Sequence, residues 1–363
     1  MSLALVHRFG VLEVDFGGAR APNKMRARSS PAIDSRPPQL YALLVHRIPV
    51  GVLGASGYAG RELCALISGH PGLDLAFATA NERRGERARI GGREITFVAT
   101  DDAQLKSAEL VFSALPHGAS KTWVDRVRAD GIRAIDLSAD FRPGSGVSGV
   151  PYGLTEIARS KLAGAELIAN PGCYPTAVLL ALAPLFADGL VPAGATITVN
   201  AASGVTGAGN SPKTELMFGE VIEDYRAYAV GNEHRHLPEM RATARELGAD
   251  VDILFTPHLI PVSRGILATI TVPVSEELTD PLSLWQKFYA GERFVEITPD
   301  APSLRDVVRR NVARISARHA AAVRQPTLIV LSAIDNLMKG AAGQAVQNAN
   351  LALGIAEPTG LPH

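Results

Sequence analysis

The feature that most constrains the fold is a glycine-rich turn between a short apolar strand and a helix. The sequence predicts a strand at 48–53, a turn containing Gly54, Gly57 and Gly60, and a helix at 61–68. Further strands then alternate with helices, a pattern typical of a parallel sheet covered by helices on both faces; they are predicted at 73–79, 94–100, 109–115, 133–138 and 166–170. The first half of the chain is therefore predicted to be a doubly wound α/β domain of the Rossmann type.

The same glycines indicate what the turn binds. Residues without a Cβ let the backbone approach a pyrophosphate, and the helix N-terminus offers free N–H groups and a positive dipole end. The spacing G-x-x-G-x-x-G differs from the commonest motif, G-x-G-x-x-G, so the strand–turn–helix context carries the interpretation. A purely structural turn is the alternative. The residues expected to bind a nicotinamide dinucleotide are Gly54, Ser56, Gly57, Tyr58 and Gly60.

The loop after the second predicted strand (73–79) bears on the choice between NAD and NADP. NAD enzymes usually place an acidic residue there, whereas this chain has Arg83 and Arg84. Two guanidinium groups suit a 2′-phosphate, so NADP is predicted as the cofactor. A solvated basic loop is the alternative.

The second half of the chain predicts a different kind of domain. Several of its apolar segments alternate polar and apolar residues, which favours a mostly antiparallel sheet with one covered face. A helical segment follows at 340–353. The predicted strands are 196–202, 252–257, 266–274, 294–298, 311–317 and 327–334.

Charge and cysteine content narrow the function. The 36 basic and 36 acidic side chains cancel, which gives no support for nucleic acid or a membrane surface as a partner. Two cysteines are too few for a disulfide framework, so a reducing compartment is expected. Residues 1–46 are rich in arginine and fall outside the pattern of the fold. They are interpreted as a poorly ordered upstream extension or, alternatively, as a transit peptide.

Cys173 is the predicted nucleophile. It follows a predicted strand at 166–170 and precedes a predicted helix at 176–186. A helix N-terminus lowers the pKa of a thiol, and the thiolate is the reactive form. Cys64, by contrast, lies on the apolar face of its helix and is interpreted as a core residue.

Two histidines are candidates for moving the proton of that thiol. His234 and His236 lie together before a predicted helix, so one can transfer a proton while the other orients the substrate. Surface histidines are one alternative. A zinc site with His258 is another, but no second cysteine or suitably spaced acid completes it, and no metal is predicted.

Three polar residues are candidates for binding an anionic substrate. Ser138 and Arg142 follow a predicted strand of the first domain, where ligands of open α/β sheets bind, and are expected to hold a phosphate. Arg264, between two strands of the second domain, is expected to meet a carboxylate. A capped turn and a hairpin-turn residue are the respective alternatives.

Taken together, these motifs resemble those of the N-acetyl-γ-glutamyl-phosphate reductase family. The resemblance covers about residues 48 to 355, and its most specific strings are Asn-Pro-Gly-Cys-Tyr-Pro-Thr at 170–176 and His-Arg-His-Leu-Pro-Glu at 234–239. The other matching segments are 54–60, 136–142, 203–209, 261–269 and 334–343.

The resemblance implies an NADP-binding domain (47–172), a catalytic and dimerisation α+β domain (173–335), and a C-terminal helix (336–363) that returns to the first domain. It implies Cys173 as nucleophile, Asn336 near the nicotinamide and Asn170 at the substrate. The implied reaction is NADPH-dependent reduction of N-acetylglutamyl 5-phosphate to the semialdehyde through a cysteine thioester. A homodimer or homotetramer is implied, cytoplasmic in bacteria or plastidial in plants.

Three alternatives to this activity remain open from the sequence. The same chemistry on N-acetyl-aminoadipyl phosphate differs by one methylene, which sequence pattern discriminates poorly. Aspartyl phosphate is a second substrate to consider. A dinucleotide-binding regulator without catalysis is a third reading, which Cys173 and the paired histidines disfavour.

Overall fold

The computed structural model describes residues 47–363, so the predictions for residues 1–46 lie outside the described part of the chain. The strands are β1 Ile48–Leu53, β2 Leu73–Ala78, β3 Arg87–Ile90, β4 Arg93–Thr96, β5 Leu110–Ser113, β6 Arg133–Asp136, β7 Leu167–Ala169, β8 Ala195–Gly204, β9 Arg226–Ala227, β10 Val251–Ile260, β11 Ile266–Pro273, β12 Val295–Ile297, β13 Ala313–His319 and β14 Thr327–Ile334. The α helices are α1 Tyr58–Gly69, α2 Ser120–Ala129, α3 Thr155–Leu162, α4 Cys173–Ala187, α5 Phe218–Val221, α6 Leu237–Glu246, α7 Pro281–Phe288 and α8 Gly343–Ala352.

The first sheet is parallel and has the strand order β2-β1-β5-β6-β7. Its central strands are short and apolar because both faces are covered; Val50, Val52, Leu110 and Phe112 have no more than trace exposure. The carboxyl ends of parallel strands meet at one edge of a sheet. The turns after β1, β5, β6 and β7 therefore lie along that edge, and the predicted α/β domain is confirmed.

One predicted strand of this domain is wrong in its pairing. The segment at 94–100 was expected to join the alternating strands, but β4 pairs antiparallel with β3 in a separate two-stranded hairpin. Gly91 and Gly92 form its turn with φ of 57° and 82°, the backbone conformation that two-residue hairpin turns require. The adjacent glycines were therefore a readable hairpin signal that the sequence analysis did not use.

The second sheet has seven strands in the order β12-β13-β14-β11-β8-β10-β9. Four of its six pairings are antiparallel, while β10 with β8 and β12 with β13 are parallel. Side chains of β11 alternate between buried and partly exposed positions along the strand. The predicted α+β domain with a mostly antiparallel sheet is confirmed.

Helix α4 fills the core of this second domain. It begins at Cys173, three residues before the predicted start, because the nearby Pro175 lies in the first turn, where a backbone N–H has no helical partner. Pro184 lies inside the helix and leaves the carbonyl of Leu180 without its helical donor. The hydroxyl of Tyr289 donates to that carbonyl at 2.6 Å, so the interior proline leaves no unpaired carbonyl there.

The end of the chain returns to the first domain. A π-helical turn, Met338–Ala342, leads into α8, whose Ala345, Val346 and Ala349 pack in the same apolar core as Val50 and Leu63. Among the helices of residues 47–363, none combines the length and apolarity that crossing a membrane requires.

Candidate active site

The glycine turn between β1 and α1 is tightly packed against its own domain. Gly54 has a φ of 76°, and a Cβ on Gly60 would lie 2.3 Å from the carbonyl oxygen of Gly54. Gly57 precedes α1, and no side chain caps the helix start. The first backbone N–H groups of α1 are therefore free to bind an anion.

Two cavities meet beside the carboxyl edge of the first sheet. The glycine-loop cavity, of about 400 Å³, extends from Gly57 and Tyr58 to Cys173. The histidine cavity, of about 420 Å³, is lined by Cys173, His234 and both apolar and charged residues of the second domain. Leu216 and Leu259 are among the apolar ones, and Lys213 and Arg226 are among the charged ones. The residues common to both are Cys173, Gly207, Ala208, Arg235 and His236. A dinucleotide fits the first cavity, because bare backbone at a helix start lines one end and the candidate nucleophile lines the other.

Cys173 is the first residue of α4 and is held closely from both sides. A Cβ on the preceding Gly172 would lie 2.7 Å from His236 Nε2 and 2.8 Å from Arg142 Nη1. On the other side, a Cβ on Gly340 would lie 2.8 Å from the Cβ of Cys173. Both glycines are therefore needed for the close approach of the elements that surround the sulfur.

The predicted lowering of the Cys173 pKa is wrong in direction. Burial of the thiol raises its pKa above the ordinary value, and the positive charges of Arg235 and Arg142 oppose this shift without reversing it. Desolvation penalises the thiolate more than the helix start and the two cations stabilise it. The protein alone therefore holds Cys173 mainly as the neutral thiol at neutral pH.

The two histidines have different hydrogen-bond states. His234 Nδ1 accepts a hydrogen bond from the backbone N–H of His236 at 3.2 Å, so in the neutral ring Nε2 carries the proton. His236 Nδ1 is buried and has no partner among the described residues. Burial and the nearby Arg235 lower the pKa of His234 to about 4. Burial and Arg142 hold the pKa of His236 well below its ordinary range, so both rings are neutral at pH 7.

Glu239, from α6, connects the start of α4 to the first domain. Its Oε1 accepts hydrogen bonds from the backbone N–H of Gly172 at 2.8 Å and from the hydroxyl of Tyr152 at 2.7 Å. Its Oε2 pairs with Arg142 Nη1 at 3.2 Å, and both side chains are at most 5% exposed. A buried ion pair with several further hydrogen bonds fixes geometry, because neither charge can rotate away without losing its partner.

Comparison with known proteins agrees with this architecture. The model of the semialdehyde dehydrogenase NAD binding domain matches residues 49–165, and that of the semialdehyde dehydrogenase dimerisation domain matches residues 173–336. An N-acetyl-gamma-glutamyl-phosphate reductase from Laribacter hongkongensis is 40% identical over 344 residues, 86% of this chain and 98% of that protein. One from Salinispora tropica is 43% identical over 335 residues, 86% of this chain and 97% of that protein.

The chain belongs to the N-acetyl-gamma-glutamyl-phosphate reductase family.

Solved structures outside the reductase family share its fold. Aspartate semialdehyde dehydrogenase II from Vibrio cholerae, complexed with ASA, superposes with a TM-score of 0.70 at 18% identity, covering 85% of this chain and 99% of that one. Aspartate semialdehyde dehydrogenase with NADP from Candida albicans gives 0.61 at 14% identity, covering 85% and 100%. At these identities the likeness shows the semialdehyde dehydrogenase fold alone.

Within this family fold, three predicted residues line the glycine-loop cavity beside Cys173: Arg142, Asn170 and Asn336. The Asn170 amide donates to the carbonyl of Ala341 at 3.2 Å. Asn336 accepts from the backbone N–H of Gly265 at 2.8 Å and donates to Thr206 at 3.0 Å. These bonds join the first domain, the second domain and the π-helical turn around one cavity.

Two other predicted substrate residues of the reductase lie elsewhere. Ser138 is buried, and its hydroxyl donates to Asp136 Oδ2 at 2.6 Å, so it lines neither cavity. Arg264 pairs with Glu62 of α1 and lies 3.5 Å from Asp335 Oδ2. Because its charge is already balanced by these carboxylates, Arg264 stabilises the contact between the domains and does not reach either cavity.

Of the predicted cofactor residues other than the glycines, only some lie at the glycine-loop cavity. Arg83 forms an ion pair with Glu86 at 2.7 Å, and Arg84 donates to the carbonyl of Asn81 at 3.4 Å. Neither arginine lines the glycine-loop cavity. Tyr58 lines it, whereas Ser56 contributes its carbonyl oxygen to the Asn210 side chain at 3.0 Å.

Sequence reasoning missed three polar residues at the reductase site. Arg235 and Glu239 stand in the histidine string but were not singled out. His117 was not noticed, although it follows β5 at the sheet edge where ligands of this fold bind. The signal for His117 was its position, Leu-Pro-His directly after a buried strand.

The zinc alternative raised by the sequence is not supported. Among the described residues, the one group of three candidate ligands whose atoms lie within 4.8 Å of one another is Glu156, Glu292 and Glu357. That group excludes the histidines. It is also paired with Lys339 and Arg159, which balance its charge as in a structural ion network.

Proposed function

We propose that the protein reduces N-acetyl-L-glutamyl 5-phosphate to N-acetyl-L-glutamate 5-semialdehyde and phosphate, with NADPH as reductant, in arginine biosynthesis. The observation that carries the proposal is the position of Cys173 at the junction of the two cavities. One cavity begins at the uncapped helix of the glycine turn, and the other contains the paired imidazoles. The names of relatives about 40% identical over most of the chain supply the substrate.

In the first half of the proposed reaction, the sulfur of Cys173 forms a bond to the acyl carbon. His236 is proposed to accept the thiol proton as the bond forms, because it borders both cavities with Cys173 and its Nε2 lies against Gly172, the residue before the sulfur. The proton moves during attack and not before it, since the protein favours the neutral thiol and neutral imidazole. The carbon–oxygen bond to phosphate then breaks and leaves a thioester on Cys173, while the departing phosphate takes up one proton from solvent.

In the second half, a nicotinamide cofactor held by the glycine turn and the glycine-loop cavity would supply the hydride that reduces the thioester carbon. His234 is proposed to stabilise the developing negative charge on the oxygen with a hydrogen bond from its Nε2–H, without giving up the proton. Collapse of this oxyanion breaks the carbon–sulfur bond and releases the aldehyde. The sulfur then takes its proton back from His236, so both residues return to their starting states.

The assignment of His236 as base and His234 as donor follows from their hydrogen bonds. His234 Nδ1 already accepts from the backbone, and a ring in that state presents a donor, not a free lone pair. His236 borders both cavities with Cys173, its Nε2 lies against Gly172, and its ring accepts no hydrogen bond from the described residues. The sequence alone slightly favoured His234 for the base.

NADP as the cofactor and a homodimer or homotetramer as the assembly belong to the same proposal. Arg84 is exposed and, among the described residues, has no carboxylate partner, so it can turn to a 2′-phosphate. The match to a dimerisation domain supports self-association. A cytoplasmic location stays a prediction, favoured over the plastid by the bacterial source of the relatives.

A spectrophotometric assay in the reverse direction tests the activity. The purified protein receives N-acetylglutamate semialdehyde, phosphate and NADP, and NADPH absorbance is followed. Activity with this aldehyde should exceed that with N-acetyl-aminoadipate semialdehyde or aspartate semialdehyde by at least about tenfold. A preference for either competitor would move the substrate assignment, and no turnover with any aldehyde would favour a regulator.

A further inference from the structure

The groups expected to hold the departing phosphate are occupied within the protein. Ser138 donates its hydroxyl to Asp136. Three of the five N–H groups of Arg142 donate to protein acceptors, Nε to the Asn170 carbonyl, Nη1 to Glu239 and Nη2 to the Leu137 carbonyl, and Glu239 balances its charge. Because Glu239 already balances the charge of Arg142, a phosphate dianion next to Cys173 needs a positive charge that no carboxylate neutralises.

His117 provides a donor at this place. It lines the glycine-loop cavity, and its Nδ1 accepts a hydrogen bond from the backbone N–H of Ala139 at 2.8 Å. In the neutral ring the remaining proton is on Nε2. Burial, followed by Arg235 and Arg142, lowers the pKa of His117 to about 4, so the ring is neutral at pH 7 and that donor is retained. His117 donates to no acceptor among the described residues.

Arg235 provides the charge. It lines both cavities together with Cys173 and His236. Within residues 47–363, its guanidinium has no hydrogen bond and no carboxylate within ion-pair distance, unlike Arg142 and Arg264. A cation left unpaired beside a nucleophile, with part of its side chain exposed, suits an anion that enters and leaves through solvent.

We propose that His117 Nε2–H and the guanidinium of Arg235 form the site that receives the departing phosphate and binds inorganic phosphate in the reverse reaction. The acyl carbon bonded to phosphate must reach the sulfur, so the phosphate lies close to Cys173, where both residues border the cavity. This inference rests on the proposed function for the identity of the anion.

Two substitutions at His117 separate its two roles. One role is the Nε2–H donor, and the other is the Nδ1 acceptor for the backbone N–H of Ala139. In His117→Asn, the amide oxygen takes the position of Nδ1 and can still accept from Ala139, but the distal donor is lost. In His117→Gln, the amide nitrogen takes the position of Nε2 and keeps the donor. The KM for phosphate should rise about tenfold or more in His117→Asn and about twofold in His117→Gln. The KM values for aldehyde and NADP should stay within about twofold of the wild-type values.

Arg235 is tested in the same assay. Arg235→Gln should raise the KM for phosphate by about a hundredfold, with a smaller rise in Arg235→Lys, which keeps the charge but not the planar donors. The matched control is Arg305→Gln, which removes the same charge as Arg235→Gln. Arg305 is exposed and lines neither cavity. It should leave all three KM values unchanged.

A binding measurement without turnover keeps this inference separate from the proposed function. Inorganic phosphate should slow alkylation of Cys173 in the wild-type protein, with an apparent Kd that rises in His117→Asn and Arg235→Gln. That result supports the anion site even if no aldehyde is a substrate. The inference is overturned if phosphate protects the variants and the wild type equally. It is also overturned if His117→Asn raises the KM for NADP instead, or if His117→Gln loses phosphate affinity while His117→Asn keeps it.

Discussion

Two helices of this reductase begin alike and are surrounded differently. Helices α1 and α4 each follow a strand of the first sheet, each has a glycine before its first residue, and neither start is capped by a side-chain hydrogen bond. Each also contains one of the two cysteines. The start of α1 is backbone and glycine, whereas the start of α4 is enclosed by Glu239, Arg142 and His236.

The difference shows what each kind of chemistry requires. Holding an anion takes only free N–H groups and room for the ligand, which Gly57 and its neighbours provide locally. Activating a thiol takes a positioned base and nearby charges, and these come from both domains. Cys64, in the middle of α1, has no positioned base; burial raises the pKa of its thiol to about 12, although the nearby charge of Arg61 opposes this shift.

The largest expected effect is the loss of turnover when the sulfur at the start of α4 is removed. Cys173→Ser should lower turnover by at least about 10⁴-fold, because a hydroxyl is a far weaker nucleophile and no other thiol lies at the site. NADPH binding, measured by fluorescence titration, should be retained. Cys64→Ala is the control and should keep turnover. Substantial activity in Cys173→Ser would remove the covalent step.

The next effect tests whether the α4 start depends on its buried ion pair. Glu239→Gln leaves the Arg142 guanidinium buried without its carboxylate, so the free energy of unfolding should fall by about 3–5 kcal/mol, measured by denaturant titration. In the control Asp125→Asn, loss of the exposed pair with Lys121 should cost at most about 1 kcal/mol. Equal effects would mean that the buried pair contributes no more than a surface pair.

A third pair of substitutions tests what the two glycines at the start of α1 do, one in packing and the other in cofactor binding. In Gly60→Ala the new Cβ meets backbone at 2.3 Å, so stability should fall by about 1–3 kcal/mol. In Gly57→Ala the nearest protein atom is 3.6 Å away, so stability should hold. Because Gly57 lines the cavity, its new methyl should weaken NADPH binding about tenfold. Unchanged affinity in Gly57→Ala would place the cofactor elsewhere.

The smallest expected effect is a difference between the two thiols in how the rate of alkylation depends on pH. Thiolate is the form that reacts with iodoacetamide, and burial raises the pKa of Cys173 above its ordinary value of 9.0. Its alkylation rate in the free protein should therefore still be rising at pH 9, and Arg235→Gln should move the midpoint to higher pH by removing a cation. Cys64 should remain unlabelled in the folded protein. A Cys173 midpoint near neutral pH would contradict the neutral thiol.

Much of the fold could be predicted because strands and helices depend on residues close in sequence. Predicted strands at 48–53 and 327–334 match β1 and β14 residue for residue. The glycine turn and the nucleophile turn were located for the same reason, since both lie between a strand and a helix. The start of α4 was placed three residues late, at Thr176, although Pro175 is compatible with the first turn of a helix.

The sequence alone could not predict which charged groups form ion pairs or how deeply they are buried. Arg142 and Glu239 are 97 residues apart in the chain, and Arg264 and Glu62 are 202 apart. No local pattern tells which arginine is already paired, which is free, or how deeply a thiol is buried. Arg264 was therefore expected at the substrate, while the unpaired Arg235 was passed over.

By itself, the sequence determined the two domains, the glycine turn and the residue types at the α4 start, because these follow from short-range periodicity and turn chemistry. Only the tertiary structure decided which nitrogen of each histidine is free, which arginine keeps its charge available, and in which direction the pKa of Cys173 moves. The physical reason is that desolvation and ion pairing depend on neighbours brought together from distant parts of the chain.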